Sequence, residues 1–109
     1  MIEMREHICP RGRNPFKDWF KSLDSTVAIK ISSALFRMEN GNLSSVKSVG
    51  MGVQEYRIHW RPGYRIYFGR DGDKIIILLG GGTKKSQKMD IAKAHKLWAE
   101  YKSLKRKSK

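Results

Sequence analysis

The sequence predicts an α+β fold, with two N-terminal helices packed on a small antiparallel (mixed) β-sheet and a further helix at the C-terminus. Three observations predict it. Residues 53–68, VQEYRIHWRPGYRIYF, alternate with period two on both sides of a Pro-Gly turn. Residues 75–79 form an unbroken apolar run, which suits a strand buried on both faces. Residues 16–23, 27–38 and 91–101 carry apolar side chains at helical spacing. At 109 residues the chain has room for one core, so 1–109 is read as a single domain.

Taken in order, residues 1–5 form a short strand with Ile2 and Met4 on one face. Asn14 is a good N-cap and Pro15 suits the first helical position. Phe16, Trp19, Phe20 and Leu23 then make one apolar stripe, read as core rather than as a binding surface. Asp24 or Ser25 caps a second helix with Val27, Ile31, Ala34, Leu35 and Met38 inward, and Gly41 ends it. Residues 41–52 read as a loop carrying Lys47. Gly80, Gly81 and Gly82 read as a flexible strand exit that brings Lys84 and Lys85 beside the hairpin; the spacing is not that of a P-loop. Ile91, Ala94, Trp98 and Tyr101 form the stripe of the last helix, and 102–109 reads as a basic, frayed tail.

Within the hairpin, a two-residue loop would mix arginines with apolar groups on both faces. An odd loop that pairs Trp60 with Tyr64 keeps Tyr56, Ile58, Trp60, Tyr64, Ile66 and Phe68 together, and burial selects that register. It sets Arg57, His59, Arg65 and Tyr67 on the opposite, wetter face, with His59 opposite Arg65 and Arg57 opposite Tyr67. Truncating Arg65 would then open no cavity in the core.

Twenty-three Lys and Arg against ten Asp and Glu leave a net charge of +13. Such a field attracts polyanions, nucleic acid first and an acidic protein second. No run approaches a membrane span and no signal-peptide pattern opens the chain, so a cytoplasmic protein without membrane partners is expected. The single cysteine, Cys9, excludes an internal disulfide. It precedes Pro10, has no evident His or Asp partner and reads as structural. His7 has no local constellation, His95 borders a helical stripe, and no metal-ligand set clusters along the chain.

The hairpin cluster suits RNA cleavage in which the substrate's own 2′-hydroxyl attacks the neighbouring phosphate. That reaction calls for no metal and no cofactor. The protein must position the strand, move a proton and neutralise charge growing on the phosphorane oxygens. Arginine and lysine serve the last need, and an imidazole, titrating near neutrality, serves the second. A basic sheet face that binds an acidic partner and catalyses nothing explains the same residues equally well.

The span GMGVQEYRIHWRPGYRIYFGRDGDKIIILLGGGTKKSQKMDIAKA, with the upstream RGRNPFKDWFKSL, resembles the addiction module killer protein group (Gp49-like, HigB-like) of the RelE/ParE/HigB toxin superfamily. GYRIYF followed by LLGGGTKKSQ carries most of the likeness. The resemblance implies a RelE-like domain acting as the toxin of a bacterial type II toxin–antitoxin system. It also implies an mRNA endoribonuclease acting at the ribosome to inhibit translation, and a tightly bound cognate antitoxin, often a helix-turn-helix protein. By position it implies catalytic roles for Arg57, His59, Arg65 and Lys84 or its neighbour Lys85; Lys47, Tyr67, Lys85, Gln87 and Lys88 are read beside them as RNA contacts. The pattern departs at one place. RelE itself carries a tyrosine shortly after the basic residue that follows the last strand, near Asp90 here, and this chain has none; Asp90 or the cross-strand Tyr67 is the candidate substitute. ParE-type relatives poison DNA gyrase and generally lack the basic set, which makes a gyrase inhibitor or a non-catalytic interaction module the alternative.

Overall fold

The computed structural model describes residues 1–108. Strand β1 (Glu3–Glu6) is followed by helices α1 (Pro15–Lys21) and α2 (Ser25–Glu39), then strands β2 (Val46–Ser48), β3 (Val53–Ile58), β4 (Tyr64–Asp71) and β5 (Ile75–Thr83). A 3₁₀ turn (Lys84–Ser86) leads into α3 (Gln87–Lys107). The sheet order is β1-β5-β4-β3-β2; β1 lies parallel to β5 and the other pairs are antiparallel. The fold is therefore α+β with a mixed sheet, as the sequence predicts.

Both predicted N-caps form. The Asn14 side chain accepts from the Lys17 N–H at 3.0 Å, and Asp24 accepts from the Val27 N–H at 3.0 Å. Each bond satisfies a helix-end donor that has no partner within the helix. From α1 and α2, Phe16, Val27, Ile31, Ala34 and Met38 pack onto Tyr56, Ile58, Ile66, Phe68, Ile76 and Leu78. The apolar hairpin face predicted from alternation is thus the main core face. The other face is covered too. Ala94 and Trp98 of α3 pack there with Val53, Tyr67, Ile77 and Leu79. Residues 75–79 lack alternation because β5 has helices on both sides.

Several expectations need correction. The hairpin faces are as predicted, but its register is moved by two residues: Ile58 pairs with Tyr64, Arg57 with Arg65, and Glu55 with Tyr67. A shift of two preserves which face each side chain takes, so burial of the apolar face could not discriminate between the two registers. The loop is accordingly longer. It runs over 59–63 and is closed by the Gly63 N–H on the Trp60 carbonyl at 2.7 Å, which puts His59 in the loop rather than on the strand. Lys47 lies on the edge strand β2 opposite Glu55, not in a loop.

Gly80, Gly81 and Gly82 are not a flexible exit. They pair with Tyr67, Ile66 and Arg65 across the β4–β5 ladder. A Cβ on Gly81 would run into the Trp19 ring, and one on Gly82 into the Asp90 carboxylate. These glycines let both helical layers close on the sheet. The basic tail is not frayed as far as it is described: α3 continues to Lys107, and residue 109 lies outside the described residues. Tyr101 and Lys105 anchor the second half of α3, reaching Asp71 at the end of β4 at 2.6 and 2.5 Å.

Cys9 and His7 have partners that the sequence could not show, because these lie on α3, more than 90 residues away. His7 Nε2 is 2.7 Å from Glu100 Oε1, and Cys9 sits beside the same carboxylate. Burial, with a hydrogen bond to Glu100 next, pushes the Cys9 thiol above its ordinary range. His95 Nε2 donates to the Val49 carbonyl at 2.9 Å.

Candidate active site at the hairpin end of the sheet

Arg57 and Arg65 stand directly opposite each other on β3 and β4, on the sheet face that α3 covers. Like charges at cross-strand positions repel. Glu55, two residues before Arg57 and diagonal to Arg65, resolves the conflict. Its Oε1 lies 3.4 Å from Arg57 Nε and its Oε2 lies 3.5 Å from Arg65 Nε. From the first turn of α3, Gln87 Nε2 donates to Glu55 Oε2 at 2.8 Å. The Glu55 side chain is fully buried, Arg65 is 6% exposed and Arg57 is 39% exposed. One carboxylate thus compensates two guanidiniums, one nearly buried at the floor of a notch and one reaching solvent.

The far end of Arg65 is held as well. Its Nη1 donates to the Gly63 carbonyl at 3.1 Å. The same carbonyl accepts the Lys84 N–H at 2.9 Å, so the hairpin loop and the end of β5 meet at one oxygen. Arg57, Ile58, His59, Gly63, Tyr64, Arg65 and Lys84 line a notch of about 290 Å³ around this junction. A second hollow of about 380 Å³ adjoins it, sharing Arg57, Ile58 and His59 and adding Lys30 and Arg37 from α2. Trp60 stacks on Tyr64 with ring centroids 5.9 Å apart, and Lys30 Nζ lies 5.3 Å from the Trp60 ring. The two hollows form a cationic groove around the end of β3.

The structure brings together Arg57, His59, Arg65 and Lys84, the four residues singled out from the sequence as catalytic. His59 and Lys84 are exposed. Arg65 takes the predicted face, but that face is enclosed by α3 instead of wet. Tyr67, expected as an RNA contact, is 0% exposed under α3. Burial first, and the neighbouring Glu55 carboxylate second, push its phenol well above the usual range. Its hydroxyl has no hydrogen-bond partner among the described residues, and the residue is not among those that line the notch described above.

Lys47, Lys85 and Lys88 are exposed and extend the basic surface beyond the notch. Gln87 turns inward to Glu55. Asp90 does not line the notch; it accepts from Ser86 Oγ at 2.5 Å and sits against Gly82. Sequence reasoning passed over Glu55. The available signal was its spacing, since it shares a strand face with Arg57 and, across the hairpin, with Arg65.

Fold and notch together define a small, strongly basic α+β protein with a cleft lined by Arg57, Arg65 and Lys84 at one end of its sheet. Residues 18–101 match the family described as "Phage derived protein Gp49-like", and the chain belongs to that family. It is also similar to an uncharacterised protein of Haemophilus influenzae, 37% identical over 86 residues that cover 78% of this chain and 87% of the relative.

Proposed function

We propose that this protein is the toxin of a bacterial type II toxin–antitoxin system and acts as an endoribonuclease on mRNA at the ribosome. The Gp49-like family is associated with addiction-module toxins, which supports the coarser half of the reading. The observation that carries the finer half is the notch: Arg57, Arg65 and Lys84 converge on one cavity beside an exposed imidazole, His59. In this reading a scissile phosphate enters the notch. The ribose 2′-hydroxyl gives up its proton and attacks the phosphorus, the P–O5′ bond breaks to leave a 2′,3′-cyclic phosphate, and the departing 5′-oxygen takes up a proton; the cations stabilise the charge that develops on the non-bridging oxygens. Arg65 is oriented before substrate arrives by its Nη1 hydrogen bond to the Gly63 carbonyl and by the Glu55 charge 3.5 Å from its Nε. Such preorganisation removes the cost of arranging the charge during reaction. His59 transfers the proton, and its loop position leaves it room to approach either oxygen. Lys47, Lys85 and Lys88 track the RNA backbone, and Asp90 acts only through the 3₁₀ turn and Gly82. No step calls for a cofactor.

The partner set follows from the same surface. A cognate antitoxin of helix-turn-helix type would cover the groove with an acidic segment, pairing carboxylates with Arg57 and Lys84. One observation favours a second reading. Glu55 already neutralises part of the arginine pair, as expected of a structural ion network in an interaction module or a gyrase inhibitor. Two assays on the purified protein separate them. Cleavage of ribosome-bound mRNA without inhibition of gyrase supercoiling is the expected result. Inhibition of supercoiling with the message left intact would replace the proposal with the second reading.

A further inference from the structure

Away from the notch, three side chains of different chemistry meet where β1 leaves the sheet. His7 follows β1 directly, and its N–H continues the ladder onto the Leu78 carbonyl at 3.0 Å. Cys9 sits in a turn fixed at both ends, with its N–H on the Arg13 carbonyl and its carbonyl accepting from Gly12, both at 2.8 Å. Glu100 reaches in from α3. One donor atom from each of the three lies within 4.8 Å of the other two. The His7 ring is 2% exposed, aimed at Glu100 and packed edge-on to Tyr101, whose ring centroid is 5.9 Å away. The Glu100 side chain is 36% exposed, which leaves an entry path from solvent.

We propose that His7, Cys9 and Glu100 form a binding site for a divalent transition-metal ion, zinc being the best match. Nitrogen, thiolate and carboxylate are the donors zinc takes, at roughly 2.0–2.3 Å, in a tetrahedron whose edges run about 3–4 Å. The cluster is therefore loose by about 1 Å at its widest. The His7–Glu100 contact, at 2.7 Å, would open slightly as the ion replaces the shared proton. A thiolate and a carboxylate balance the charge of the ion, and the imidazole binds neutral. Three protein ligands leave the fourth position to water or to a group from a partner. An ion here would clip the 7–13 segment to α3, the helix whose first turn carries Gln87 against Glu55.

The test is titration of metal-stripped, reduced protein with cobalt(II) as a spectroscopic probe, followed by displacement with zinc. The expected result is one ion per chain, with a thiolate-to-cobalt charge-transfer band and intense d–d bands of a four-coordinate site. Cys9→Ser leaves the His7–Glu100 bond in place, so it should fold; it should lose the charge-transfer band and weaken zinc binding by about tenfold or more. Glu100→Gln should keep the band and also weaken binding. Zinc should raise the melting temperature of the wild type and not that of Cys9→Ser. A cobalt spectrum without the thiolate band, or equal zinc affinity in wild type and Cys9→Ser, would leave His7 and Glu100 as a structural pair and overturn the site.

Discussion

At Glu55 a fully buried carboxylate meets Arg65 from the next strand and Arg57 from its own, and the three cannot be changed independently. Arg65→Ala is for that reason not the silent truncation that a wet face would allow, since it strands Glu55. Removing one partner of a buried pair costs about 3–5 kcal/mol. Glu55→Gln should fall near the lower end, about 3 kcal/mol, because Arg57 still reaches solvent. The double substitution Glu55→Gln with Arg65→Ala should cost less than the sum of the singles by about 1 kcal/mol or more. Denaturant unfolding of the four proteins checks this; strictly additive losses would mean that the contact carries no coupling. At this scale alternation showed which side chains share a face. It could not show whether that face was wet, because α3 lies beyond the window over which the hairpin pattern is read.

Helix α3 shows how an element can be recognised in sequence and still be misplaced. The stripe Ile91, Ala94, Trp98 and Tyr101 was legible, yet nothing in it says which sheet face receives it. The complementary signal was glycine. Gly69 leaves the space that the Trp98 ring fills, as Gly81 does for Trp19. Gly69→Ala should overpack this contact and cost about 1–3 kcal/mol, measurable as a lowered unfolding midpoint. An unchanged midpoint would mean that Trp98 can move aside.

The far half of α3 offers a pH test. Lys105, and after it the Tyr101 hydroxyl, hold the Asp71 carboxyl below its ordinary range, while the Tyr101 phenol is pushed up to about 12 by burial and by Asp71. A carboxyl depressed in the folded state adds stability above its unfolded value, near 3.9, and loses it as pH falls through the folded value. Asp71→Asn should therefore be less stable than wild type at neutral pH, and the two should converge in acid. A constant gap across the pH series would deny the link.

For the whole molecule, the α+β class, both N-caps, the two-sided burial of β5 and the apolar hairpin face were legible because each is set by local pattern. Hidden were the β1–β5 parallel pairing, the β2 edge strand and the meeting of His7 with Glu100. The first and the last depend on contacts between segments far apart in sequence, whereas β2 pairs with the neighbouring β3 but is only 3 residues long, too short to show an alternating pattern. The net charge of +13 was legible too, and it sets a long-range expectation. Association with RNA, and with an acidic antitoxin, should slow as ionic strength rises, because screening shortens the field. Stopped-flow rates at low and high salt test it, and equal rates would argue against electrostatic capture.

The central claim is that the cations of the notch stabilise a phosphorane. Lys84 tests it most directly. Its side chain is exposed while its backbone alone ties β5 to Gly63, so Lys84→Ala leaves the Glu55 network untouched. Single-turnover cleavage of ribosome-bound mRNA by this variant should be slower by about 100- to 1000-fold, with the melting temperature unchanged. Cleavage at the wild-type rate would contradict the account.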